Sequence, residues 1–351
     1  MEVIELLKTA INKGASDIFV VAGAPLTAIC NGTQTKMDTT PLTPAATKFM
    51  IDEIYSLSDR PSIAINSKID DDFSFSLPNL GRFRINIFRQ RGTFAAVIKV
   101  IRFGLPDPEG LGIPETVLNL SDNARGLVIV AGETGCGKTT TLSCMVDRIN
   151  KTRHNHIITL EDPIEHVHRH NQSIVSQREI NVDIPDYASG LKSATREKPN
   201  VIFLGEMKGE EVIIAALDVA EAGVLVLTSM HTDSVVSTIN RIIEEFPEAQ
   251  QQKVRNQVAG LLKGVVCQKL IPDKNGKIIP VFEVMKTTPV IQDMIRNNNL
   301  AKIEAIMQTS QNLGMSTMDG SLLKLHEKGI ISKEVVIENC LHHDVINKIL
   351  L

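Results

Sequence analysis

The stretch GETGCGKT, residues 132–139, constrains this chain more than any other, because such a loop has a purpose only where a strand turns directly into a helix. It satisfies G-x-x-x-x-G-K-[ST] and follows the apolar run RGLVIVAG (125–132). After it, Leu142, Met145, Val146 and Ile149 recur at helical spacing. Gly132, Gly135 and Gly137 let the backbone curl so that N–H groups point at phosphate oxygens, and the helix N-terminus adds partial positive charge. Lys138 is expected to reach the β- and γ-phosphates, and the Thr139 hydroxyl to ligate magnesium. The candidate nucleotide-binding set is Gly132, Glu133, Thr134, Gly135, Cys136, Gly137, Lys138, Thr139 and Thr140, with ATP and Mg2+ as cofactors. Cys136 reads as a small side chain that fits the loop rather than a redox group.

Three more segments repeat the pattern of a compact apolar run with a polar or acidic end: HIITLEDPIE (156–165), PNVIFLGEM (199–207) and AGVLVLTSMHT (222–232). Strands this apolar, separated by helical patterns, predict an α/β fold with a parallel sheet covered on both faces. Ligands bind such sheets at the carboxyl ends of the strands, so the polar ends should converge. Residues 1 to about 100 predict a smaller α+β module with strands at 16–23, 73–80, 81–88 and 93–101. Residues 102–122 hold three prolines and three glycines and suit a linker. Beyond about 285, Val290, Ile291, Met294 and Ile295, then Leu322, Leu323 and Leu325, predict a helical C-terminal region. The expected organisation is thus 1–101, 102–122, 123–285 and 286–351.

Composition narrows the function classes. With 43% hydrophobic and 22% charged residues, the chain is neither disordered nor membrane-embedded in character, and a net charge of -4 argues against nucleic acid as main partner. The five cysteines include no C-x-x-C pair, which argues against a zinc site or disulfide framework and for a reducing compartment. The N-terminus reads as an amphipathic helix rather than a signal peptide, and no apolar run approaches the ~18 residues of a membrane span. A soluble, cytoplasmic protein is expected.

The strand ends carry the candidate chemistry. A magnesium-dependent NTPase often places an aspartate after an apolar strand, yet VIFLGEMKG (201–209) has Gly205 there, followed by Glu206. Glu161 and Asp162, after the preceding strand, are expected to take over the metal role, with Asp162 holding magnesium directly or through water. Glu206 is then the candidate to orient or deprotonate the attacking water, and Glu161 its competitor. Thr228, Ser229, His231 and Thr232 are placed to hydrogen-bond the γ-phosphate or the acidic cluster, His231 as the sensor. His166, His168 and His170 would share one face of a strand; no second cluster completes a metal site with them. In GRFRINIFRQRG, Arg82 and Arg84 project opposite Phe83, Ile85 and Ile87. Arginines on a separate domain can stabilise a transferring phosphoryl group, whereas a nucleic-acid strand would want the aromatic platform this stretch lacks.

These motifs in this order resemble the secretion-ATPase superfamily, and most closely the type IV pilus retraction ATPases, the PilT and PilU proteins. The resemblance covers nearly the whole chain: KGASDIFVVAGAPLTAICNG, GRFRINIFRQR, the phosphate loop, LEDPIEHVH, SQREI, TREKPNVIFLGEM, EAGVLVLTSMHTDSVVSTINRIIEEFP and TPVIQDMIR. It implies a PAS-like N-terminal domain and a RecA-like P-loop ATPase domain, with nucleotide between the two domains of each subunit in a hexameric ring. The implied partners are five further copies of the chain in a homo-hexamer, an inner-membrane pilus platform protein and a paralogous pilus ATPase, with the ring peripheral at the inner face of the cytoplasmic membrane. Three departures stand out: Val224 where the family usually has a histidine, Lys198 and Asn200 in place of acidic residues, and Gln292 and Asp293 in place of an Arg-Asn pair. Assembly and type II secretion relatives generally add a long N-terminal region and a four-cysteine zinc motif, so retraction is expected over assembly. An accessory ATP-binding subunit is the remaining alternative, disfavoured by the intact Lys138, Thr139, Glu161 and Glu206.

Overall fold

A computed structural model describes residues 2–30, 32–58, 60, 70–101, 104–105 and 107–350. The chain divides into two compact units, Met1–Gly104 with Glu165–Arg169, and Leu105–Ile164 with His170–Leu351.

The first unit is an antiparallel sheet with helices. Its strands are β1 (Ala15–Val21), β2 (Pro25–Cys30), β3 (Thr33–Pro41), β4 (Asp70–Leu77), β5 (Gly81–Gln90) and β6 (Thr93–Ile101), in the spatial order β3-β2-β1-β6-β5-β4. Alternation in β5 buries Phe83, Ile85 and Ile87, which share a core with Leu6, Leu7, Ile51, Ile54 and Tyr55 from the helices Val3–Asn12 and Pro44–Leu57. The strand expected at 73–80 ends at Leu77 instead, because Pro78 brings no N–H to the ladder and Asn79 takes a left-handed turn at φ 63°. β2 and β3 were not anticipated; TQTKMDTTP in β3 is mostly exposed and offers little apolar alternation to read.

The second unit holds a seven-stranded sheet in the order β13-β12-β7-β11-β10-β8-β9. Its strands are β7 (Gly126–Ala131), β8 (His156–Glu161), β9 (Ile174–Glu179), β10 (Val201–Leu204), β11 (Leu225–Met230), β12 (Leu262–Pro272) and β13 (Ile278–Lys286). All neighbours are parallel except β12 and β13, which form an antiparallel hairpin. Each central strand is buried on both faces: Leu127 and Ile129 enter one core while Val128 and Val130 enter another, and β10 divides Ile202 and Leu204 from Val201 and Phe203 in the same way. That is why these strands read as unbroken apolar runs. The helical region after residue 285 is present as Pro289–Arg296, Ile303–Thr309, Met318–Glu327, Lys333–Asn339 and His343–Ile349.

Within the stretch 102–122, Ile113, Val117, Leu118 and Leu120 are buried in the second unit's core beside Val128 and Leu142. Arg148 holds this segment down through Glu115 at 2.8 Å and Asp122 at 3.0 Å. Much of the expected linker is therefore packed chain, its apolar positions too short a run to be read as an element.

Parallel pairing sets the site. Met230 pairs with Ala131 and Leu204 with Leu160, so the carboxyl ends of β7, β11, β10 and β8 finish along one sheet edge. The chain thus delivers the phosphate loop, His231, Glu206 and Asp162 to the same edge.

Candidate nucleotide site

β7 is buried throughout and passes into the loop, which opens the helix Lys138–Thr152. Gly137 caps that helix at φ 90°, a backbone that a side chain would strain. Lys138 is only 7% exposed, and its Nζ donates to the carbonyls of Gly132 and Glu133, each at 2.8 Å. The ammonium is thereby held over the loop it must serve. Burial pulls its pKa down, with Cys136 and Glu206 partly restoring it. Burial likewise pushes the Cys136 thiol up, which keeps it in the unreactive form. Thr139 is half-buried in the first helical turn.

His231, just past β11, is the hub of the edge. Its Nδ1 lies 3.4 Å from Lys138 Nζ and 3.4 Å from Thr134 Oγ1, and its Nε2 lies 3.8 Å from Glu206 Oε1. An ammonium can only donate, so Nδ1 is the nitrogen suited to accept from Lys138, and Nε2 is the one that faces the carboxylate. The imidazole therefore stands between the lysine and the carboxylate. The other polar residues of this strand end have different partners. Ser229 donates to the Gly205 carbonyl at 2.6 Å, tying β11 to β10, and Thr232 shares a 2.7 Å bond with Thr238. Thr228 is fully buried.

The two candidate carboxylates differ in surroundings. Glu161 is 2% exposed and accepts from the Thr159 hydroxyl at 2.6 Å and from Gln177 Nε2 at 3.0 Å, both at Oε1. The Glu206 side chain is 36% exposed and faces His231. Asp162 is exposed at the end of β8. Tyr187 joins the three: burial first, then Asp162, Glu206 and Glu161 in that order, push its phenol far above the ordinary tyrosine value. Gly205 also answers to Tyr187, since a Cβ there would lie 2.9 Å from its hydroxyl oxygen and 3.2 Å from the Leu160 carbonyl. A side chain at that position would require Tyr187 or the β8 backbone to shift.

Over residues 2–337 the sequence matches the family described as Type II/IV secretion system protein. The chain belongs to that family. It is 38% identical over 334 residues to the type IV pilus retraction ATPase PilT of Pseudomonas aeruginosa, covering 95% of this chain and 96% of the relative. It is 35% identical over 344 residues to the type IV pilus ATPase PilU of the same organism, covering 98% of this chain and 88% of that one. Its fold matches a crystal structure of the pilus retraction motor PilT with bound ADP at a TM-score of 0.89 and 38% identity, over 99% of both chains. The architecture is that of a RecA-like secretion ATPase.

Within this secretion ATPase three of the sequence departures, Val224, Asn200 and Asp293, have neighbours of their own. Val224 lies at the amino end of β11, opposite the edge that carries His231, and packs against the core. Asn200 accepts the His156 backbone N–H at 2.8 Å, and Asp293 pairs with Arg296 at 2.9 Å on an exposed helix face. Arg82 and Arg84 belong to the first unit, where Arg84 makes a bidentate pair with Asp72 at 2.7 and 3.1 Å and Arg82 donates to Ser76 at 3.3 Å. The structure thus gives Arg84 a partner that strand alternation alone did not suggest. His166, His168 and His170 lie outside any strand, so the shared face expected for them does not form. Pro163 ends β8 shortly before them.

Three residues of the site escaped sequence reasoning: Tyr187, Gln177 and Gln268. Gln268 sits in β12 and touches the phosphate loop from behind, its Nε2 donating to the Cys136 carbonyl at 2.7 Å. The only signal for it was an uncharged polar residue, next to Lys269, in the otherwise apolar run GVVCQKLI (264–271).

Proposed function

We propose that the chain is the ATP-hydrolysing motor that powers type IV pilus retraction, and hence twitching motility. The grouping of Lys138, His231 and Glu206 beside the phosphate loop supports this reading, because a cation and an accessible carboxylate joined through an imidazole suit a γ-phosphate and its attacking water. Glu206 orients or deprotonates the water, and His231 relays the state of the phosphate to it. Glu161, hydrogen-bonded to Thr159 and Gln177 and closed to solvent, orders the acidic edge rather than meeting water.

Among the described residues no group of three His, Cys, Asp or Glu side chains converges to hold a metal unaided. Mg2+ fits the site as an oxygen-ligated ion held by the Thr139 hydroxyl and by Asp162, directly or through water, and it would neutralise charge on the nucleotide phosphates. Arg82 and Arg84 are the candidates for stabilising charge on the transferring phosphoryl group. The chain would act as a homo-hexamer on an inner-membrane platform protein, beside a paralogous pilus ATPase. No described helix is long and apolar enough to cross a membrane, which fits peripheral attachment at the inner face of the cytoplasmic membrane.

The test couples enzymology to cell biology. Glu206→Ala should retain ADP binding and lower ATP turnover by about 100- to 10,000-fold, the range for loss of a general base. Deletion of the gene should give hyperpiliated, non-motile cells. Bald cells would instead identify an assembly motor, and a wild-type protein that binds ATP without hydrolysing it would identify an accessory subunit.

A further inference from the structure

We infer that Gln268 is a positioning residue for phosphate binding: it locks the rear of the phosphate loop through its Cys136 and Thr141 hydrogen bonds, so that the Gly137 N–H is presented to the nucleotide. The inference rests on the nucleotide-site reading above.

Gln268 lies on β12, the strand beside β7, with Cys267 in register with Ala131 at the loop's entrance. It is buried, 4% exposed, and both ends of its amide are used. Nε2 donates to the Cys136 carbonyl at 2.7 Å, and Oε1 accepts from the Thr141 hydroxyl at 2.7 Å. Thr141 is itself fully buried in the first turn of the helix that follows the loop. One side chain therefore bridges the loop and the helix whose N-terminus completes the anion site. The amide cannot turn over without facing its carbonyl oxygen to another carbonyl.

Two of the loop glycines, Gly132 and Gly137, close on this same residue. A Cβ on Gly137 would lie 2.9 Å from Gln268 Nε2, and one on Gly132 would collide with the Gln268 backbone carbonyl. The glycines are needed as much for Gln268 to approach from behind as for phosphate to approach from the front. A peptide unit is planar and trans, so its C=O and N–H point to opposite sides. Fixing the Cys136 carbonyl on Gln268 therefore turns the Gly137 N–H away from β12. Preorganised donors bind phosphate without reorganising, whereas a loop free to flip this peptide would offer an oxygen to an anion. Lys138 fastens the entrance of the loop through the Gly132 and Glu133 carbonyls, and Gln268 fastens its exit.

The test uses full-length protein with ADP and ATP as probes. Gln268→Met keeps length and apolar bulk but loses both hydrogen bonds. It should weaken ADP binding by on the order of tenfold and raise the KM for ATP in parallel, with the circular dichroism of the wild type retained. Thr141→Val, which frees one end of the amide, should produce a smaller loss, and Thr141→Ser, which keeps the hydroxyl, should restore it. Wild-type ADP affinity in both Gln268→Met and Thr141→Val would overturn the inference while leaving the nucleotide site intact. So would lowered thermal stability with nucleotide affinity unchanged, the signature of mere packing. Failure of the wild type itself to bind ADP would overturn the nucleotide-site reading instead. Should Gln268→Met not fold, the Thr141→Val and Thr141→Ser pair decides the matter alone.

Discussion

Gly205 shows how a single residue can look like damage in sequence and prove a packing requirement. The position where an aspartate often holds metal is filled from outside by the Tyr187 hydroxyl, and the carboxylates sit instead on β8 and one residue later on the chain. Gly205→Ala should destabilise the protein by about 1–3 kcal/mol through overpacking. The paired change Tyr187→Phe, which removes the oxygen 2.9 Å away, should recover part of that loss in urea unfolding. Equal instability in the single and double variants would show that the Leu160 carbonyl is the real obstacle. At the same scale, Asp162→Ala should raise the magnesium concentration needed for half-maximal ATP turnover; an unchanged requirement removes Asp162 from the metal site. Sequence named Lys138, Glu206 and His231 because phosphate chemistry needs those residue types at strand ends. It could not separate Glu206 from Glu161, since burial and neighbouring donors, not residue type, distinguish two glutamates.

At the scale of elements, the helix Val235–Glu244 links the His231 edge to the interior. Ser234 and Ser237 form a capping box at its start, and the buried Glu283 of β13 accepts the Val235 N–H at 2.9 Å. Burial, reinforced by Glu304 and Asp319, pushes the Glu283 carboxyl up from 4.5 to about 7, against the lowering by its Val235 and Cys267 hydrogen bonds. An acid raised in the folded state holds its proton better there than in the unfolded chain. Its contribution is therefore complete below pH 4.5 and is lost as pH rises towards 7. Between those limits wild type should lose roughly 3 kcal/mol relative to Glu283→Gln, whose amide still accepts from Val235 and does not ionise. Parallel stability curves for the two proteins would contradict this. Elements were legible where burial was two-sided: β7, β8, β10 and β11 announced themselves as apolar runs. β3 was illegible because it is exposed, and β9, IVSQRE, because its side chains meet polar neighbours as often as core.

For the whole molecule, ligand linkage offers the simplest check that the phosphate edge is a working site. ADP at about a hundredfold over its Kd should add ~2.7 kcal/mol to unfolding, a rise of roughly 5–10 °C in Tm for domains of this size. Lys138→Ala should abolish the shift, and a shift that survives in that variant would place the nucleotide elsewhere. The linear chain determined the α/β class, the phosphate loop and the strand ends, because hydrophobic period and turn chemistry are local and written along the backbone. Only the tertiary structure decided which strands became neighbours. Strand order brought β12 beside β7 and so put Gln268 behind the loop, and the helix Tyr187–Ala194 put a phenol against Gly205. These contacts join residues separated by 132 positions in the first case, too far apart for any local pattern to register them.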